Sequence, residues 1–198
     1  MNKGILFIIL SGLSFLIVNF FVKVLGAGPN QSLFPGLQKY PAHELVLARS
    51  IVSFAISYYV IKRRGLPVLG NNRKWLLLRG FAGMIALTIF FYSIHFLPLA
   101  IASTIQYLAP IFTVLFAMLL LGEQVKKLQW LFIILAFVGV GLIGFNNLIA
   151  AERQVSINYF WFGLGIVSAA FSGIAYTAII KLKETDTPIN IVIYFPML

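Results

Sequence analysis

In 198 residues this chain is 61% hydrophobic and only 10% charged, with a mean hydropathy of +0.97. A water-exposed globular surface cannot be built from that balance, so the solvent for most of the chain is lipid. The net charge of +10 does not point to nucleic acid, because the basic residues lie in short loops between apolar runs and form no soluble basic face.

Apolar runs long enough to cross about 30 Å of hydrocarbon recur at residues 4–22, 45–61, 76–97, 99–121, 128–145 and 160–180. Backbone polar groups in lipid need internal partners, so runs of this length are read as helices, and the alternating segments of a membrane barrel are missing. The expected fold class is all-α: a polytopic transmembrane bundle of six full helices. The first run follows Lys3 like a signal peptide, but its length exceeds the about 7–15 apolar residues of a signal core. With the N-terminus placed inside, Lys3, Lys62, Arg63, Arg64, Arg73, Lys74, Lys126, Lys127, Lys181 and Lys183 fall on one side, and only Lys39 and Arg153 on the other. The positive-inside rule then makes the N-terminus cytoplasmic.

Between the first two runs, residues 26–42 form a proline- and glycine-rich external loop, expected to be irregular. At the other end of the chain, residues 188–198 begin a seventh apolar run that, as a helix of about 1.5 Å per residue, reaches halfway across a bilayer. This leads us to expect a piece of a longer protein. Ile9 to Leu25 can be laid over Ile166 to Leu182 without gaps, pairing Ser11 with Ser168 and Asn19 with Tyr176. An offset of five helices inverts the second unit relative to the first, a common transporter plan. The expected division is residues 1–150 as one five-helix repeat and 151–198 as the start of a second.

Polar groups at membrane depth are the functional candidates, because lipid tolerates them poorly. Asn19 lies in the first run, and Arg49 in the second, where Glu44 is about 140° around the helix from it. In the fourth run Ser103, Gln106, Tyr107, Pro110 and Thr113 follow helical spacing and predict one polar stripe kinked at Pro110. The kink would free a backbone carbonyl beside a cavity. Tyr92 and Tyr176 offer aromatic faces with a polar handle. The predicted solute-binding set is Asn19, Arg49, Tyr92, Gln106, Tyr107, Thr113 and Tyr176.

Lys23 sits at the outer boundary and is read as snorkelling, while Glu123 is placed beside Lys126 and Lys127 at a helix end. Gly165, Ala169, Gly173 and Thr177 form a small-residue stripe for close helix packing, and Gly139, Gly141 and Gly144 are given the same role in the fifth run. There are no cysteines, and His43 and His95 stand alone, so no metal site is expected. Without a phosphate-cradling glycine-rich motif, paired acids or a Ser/His arrangement, neither a cofactor nor an enzymatic activity is expected.

One set of motifs belongs together by order and spacing. Arg79, Gly80, Phe81, Ala82 and Gly83 open the third run, and Phe90, Phe91 and Tyr92 precede Leu97, Pro98, Leu99, Ala100 and Ala102. Pro110, then Leu121, Gly122 and Glu123, and the glycine-rich fifth run follow. Over residues 4–180 the chain resembles the drug/metabolite transporter superfamily, in particular its EamA-domain members. The resemblance implies ten helices in two inverted repeats, cytoplasmic termini, a plasma-membrane location, and movement of small organic metabolites such as amino acids, often outward, by alternating access. The rest of the second repeat, or a partner chain, would then be needed. No helix holds a mid-depth Asp or Glu, which favours uniport or coupling through helices beyond these. The alternative reading is a structural or assembly subunit without transport activity of its own.

Overall fold

The computed structural model describes residues 3–27, 38–149 and 158–197, all helices and connecting turns. Most of the predicted external loop, and Arg153, lie outside the described residues. The helices are α1 (Lys3–Gly26), α2 (Ala42–Arg64), α3 (Arg73–Phe96), α4 (Leu99–Gln106), α5 (Ala109–Leu121), α6 (Lys127–Ile149), α7 (Tyr159–Leu182) and α8 (Pro188–Met197). Five spans, with α4 and α5 forming one, are long and apolar enough to cross a membrane. Their outer faces carry exposed large apolar side chains, among them Ile8 at 73% and Leu119 at 69%. In water so much exposed apolar surface would drive association; in lipid it is the solvated face.

The ends of the helices follow local chemistry. Pro41 and Pro98, which lack a backbone donor, stand just before α2 and α4. The α2 helix stops at Gly65 (φ 63°) and α5 at Gly122 (φ 70°), left-handed positions where a Cβ would be strained. Asn158 caps α7, its side chain accepting from the Phe160 N–H at 3.1 Å.

The fourth predicted run is not one kinked helix. Pro110 has no N–H to give the Gln106 carbonyl and its ring crowds that carbonyl, so the helix breaks upstream of the proline, at Tyr107 and Leu108. Tighter three-residue bonds close the break, from Tyr107 N to Thr104 O (3.1 Å) and from Leu108 N to Ile105 O (3.0 Å). Of the predicted stripe, Gln106 and Thr113 meet α7, while Tyr107 is exposed.

At the centre, α7 packs against α3, α4 and α5. The predicted small-residue stripe makes the contact. Gly165 faces Ile105, Ala169 is fully buried, and Thr177 donates to Thr113 O at 3.2 Å. A Cβ on Gly173 would stand 2.5 Å from Phe112 Cβ and 2.9 Å from Phe112 backbone C. The matching expectation for α6 fails: nothing lies within 4 Å of a Cβ built at Gly139 or Gly141, and the Gly144 side-chain position is outside what is described.

Two latches tie the ends of the bundle to α3. At its C-terminal end, Lys23 Nζ donates to the carbonyls of Ile94 (2.8 Å), His95 (3.3 Å) and Leu97 (2.8 Å). The lysine therefore caps a helix C-terminus where snorkelling was expected. At the N-terminal end, Asp186 in the α7–α8 turn accepts from the N–H groups of Asn71 and Asn72, and Asn190 Nδ2 donates to Pro67 O at 3.0 Å. Behind this latch Ile61, Leu76, Leu182 and Ile193 pack together.

These contacts predict that Gly173→Val, which overpacks a backbone contact, lowers stability by about 1–3 kcal/mol. Gly139→Val, facing open space, should change it by no more than about 0.5 kcal/mol. Thermal or denaturant unfolding in one detergent would check both.

Candidate functional site: a polar cavity within the bundle

A cavity of about 150 Å³ lies where α1, α2, α3, α4, α7 and α8 meet. Its α3 wall runs from Arg79 through Gly83, Ala86 and Leu87 to Phe90, about 17 Å along the helix, so it occupies the middle of the span. Phe15 and Phe195 close it from α1 and α8. Arg49 enters from α2, Gln106 from the end of α4, and Ser172, Ala175 and Tyr176 from α7.

Each polar group is placed by the backbone features above. The chain break before Pro110 ends α4 at Gln106, whose Nε2 donates to Ser172 Oγ at 2.8 Å. One turn away on α7, Ser168 Oγ donates to Ala86 O at 2.7 Å and lies 3.5 Å from Gln106 Oε1. The close approach of α7 lets these short side chains bridge three helices. On α3, Gly83 leaves the space that the Arg79 guanidinium fills, since a Cβ there would fall on Arg79 Nη1. Arg79 Nε is buried without a hydrogen-bond partner.

The two guanidiniums are backed by aromatic rings. Arg49 lies 6.0 Å from the centroid of Phe91 and Arg79 5.8 Å from that of Phe195, within cation–π range. Among the described residues no carboxylate pairs with either; the ion pair present is Lys181–Glu184, at 3.4 Å and exposed. Two unpaired cations at membrane depth are costly, which makes this cavity the candidate functional site.

Of the predicted residues, the structure brings Arg49, Gln106 and Tyr176 to this cavity and leaves four elsewhere. Asn19 is buried on α1 with its Oδ1 unpartnered and is not on the wall. Tyr92 stacks on Trp161, centroids 5.9 Å apart, and its hydroxyl is 3.0 Å from His43 Nδ1. Tyr107, in the break, is 75% exposed and points outward. Thr113 turns its hydroxyl back onto Ala109 O at 2.8 Å, while its carbonyl serves the α5–α7 contact. Pro110 acts by ending α4, and no kinked carbonyl stripe forms.

Sequence reasoning missed Arg79, Ser172 and Phe195. Arg79 had a signal: a charge inside an apolar run followed four residues later by glycine, the i,i+4 spacing that puts both on one helix face. Ser168 and Ser172 share that spacing on α7.

The cavity thus places polar and unpaired charged groups among apolar, membrane-spanning helices and is open on the side of Arg49 and Tyr176. The profile of the EamA-like transporter family matches residues 2–145, and the chain belongs to that family. It is 28% identical over 195 residues to the pseudopaline exporter CntI of Pseudomonas aeruginosa, covering 98% of this chain and 63% of that protein. It is 29% identical over 183 residues to an uncharacterized transporter of Helicobacter pylori, covering 91% of this chain and 56% of the relative. To an uncharacterized transporter of Vibrio cholerae it is 32% identical over 140 residues, 66% of this chain and 46% of the relative. The chain thus spans less than two thirds of the length of these relatives. No solved structure matches it. It is an integral membrane protein of a transporter family.

If Gly83 makes room for Arg79, Gly83→Val displaces the guanidinium from the cavity. Labelling of Arg79 by phenylglyoxal, read by peptide mass spectrometry, should then rise relative to the unaltered protein, while labelling of the loop arginines Arg63 and Arg64 stays the same.

Proposed function

We propose that this chain forms the solute-binding part of an alternating-access transporter that exports small polar organic metabolites. The observation that carries the reading is the cavity itself, in which Arg49, Arg79, Gln106, Ser172 and Tyr176 converge at the middle of the apolar spans. Polar side chains collected there offer a water-like passage that lipid does not. The outward direction rests on the exporter among the relatives.

Residues 1–150 act as one five-helix repeat and 151–198 as the opening of an inverted second one, with the binding site between them. The latches at Lys23 and Asp186 suit this scheme, since each joins α3 to a different neighbour at opposite ends and releasing one would open one side. Further helices, from a longer chain or a partner, cover the side of the cavity where Arg49 and Tyr176 are exposed. The N-terminus and the ten-residue basic set face the cytoplasm, and the protein resides in the plasma membrane.

Flux in reconstituted vesicles tests this. Amino acids and small organic acids loaded inside should exchange with labelled solute, and Gln106→Ala and Arg49→Ala should each slow exchange at least about tenfold, the loss of about 1.4 kcal/mol of solute binding. Exchange unchanged in both variants removes this cavity from the transport path.

A further inference from the structure

Given that the cavity is a solute site, its charges say what kind of solute it takes. Arg49, Arg79 and Tyr176 line the same cavity. The described acids are committed or remote from it. Asp186 is taken up by the Asn71 and Asn72 N–H groups, Glu184 pairs with Lys181, Glu44 is in the first turn of α2, and Glu123 follows the end of α5. Lys23, near the end of α1, is answered by three carbonyls. Away from the basic residues at the helix ends, Arg49 and Arg79 have no ion-pair partner among the described residues, and both line this one cavity.

Their setting leaves them poised to receive a partner. Phe91 and Phe195 lie beside the two guanidiniums and offer them no hydrogen-bond acceptor, so the N–H groups are left to find one elsewhere. Arg79 Nε is already buried and without an acceptor. A cationic solute would meet two like charges here, and a neutral one would leave both guanidiniums unpaired in a medium that penalises this.

We infer that the solute is a water-soluble organic dianion, bound by the Arg49 guanidinium at one acidic group and the Arg79 guanidinium at the other. Gln106 and Ser172 then contact the polar remainder, and Phe15 and Phe90 its carbon skeleton.

The test is titration calorimetry of the whole chain in phosphatidylcholine nanodiscs with three dianions: succinate, glutarate and glycerol phosphate. Succinamate, succinamide and the dication cadaverine serve as comparisons. At least one dianion should bind, and where it is succinate, succinamate should bind at least about tenfold more weakly, with succinamide and cadaverine silent. Arg49→Gln and Arg79→Gln should each remove the preference for two charges, while Arg79→Lys keeps part of it. Should a glutamine variant fail to fold, the ligand series on the unaltered chain decides alone. Silence from all three dianions overturns the inference, as does equal binding of succinamide or cadaverine. Loss of dianion binding when phosphatidylglycerol replaces part of the phosphatidylcholine overturns it too, since the site would then be a lipid headgroup site. Dianion binding without vesicle flux leaves the inference standing and removes the transport reading; flux of a neutral or cationic solute without dianion binding does the reverse.

Discussion

The structure depends on how closely α7 approaches its neighbours. Lipid supplies no hydrophobic force between helices, so association relies on packing and on hydrogen bonds across the contact. Gly165 and Gly173 bring the α7 backbone down onto Ile105 and Phe112, where Ser168 and Thr177 reach carbonyls on α3 and α5. Only at that spacing can Gln106 and Ser172, two short-reaching groups on different helices, bond at 2.8 Å. The cavity is the space left beside this contact. The small residues of α7 are therefore a condition for the polar site as well as for the fold.

Two kinds of intramembrane cation can be told apart here by their partners. Lys23 sits over a helix C-terminus and donates to three carbonyls that have no helical donor, which satisfies both the ammonium and the helix end. Arg79 has room made for it by Gly83 and an aromatic ring beside it, but its buried Nε has no acceptor. The first arrangement is complete without a ligand. The second leaves a buried donor open, and that difference in partners is what sets Arg79 apart from Lys23.

Much of the fold was legible because membrane spans are set by one strong requirement, a long apolar run with its backbone bonds internal. Five of the six runs are each found as one helix and the fourth as two, and the α7 stripe was readable from spacing alone. The break in the fourth run was not, because helical periodicity presumes an unbroken helix, whereas the helical hydrogen bonds lapse at Tyr107 and Leu108. Arg79 was passed over because its run was taken to begin at residue 76, near a membrane boundary, whereas α3 begins at Arg73 and carries Arg79 deeper. For Lys23 the partners lie 71 to 74 residues away in sequence, a pairing no local pattern reveals. The α6 glycines show the opposite error: composition suggested a contact face, yet Gly139 and Gly141 face open space.

The bond between Gln106 and Ser172 joins residues 66 apart in the chain. At synthesis rates of about 5–20 residues per second, the partner is made roughly 3–13 s after the glutamine. During that interval an amide side chain, inside the span that α4 and α5 form together, has no α7 to meet it. Until α7 is in place the bond that holds the end of α4 to it cannot form. The order in which the helices are made thus sets a period of vulnerability in the life of the protein, one that ends when the small-residue face of α7 docks.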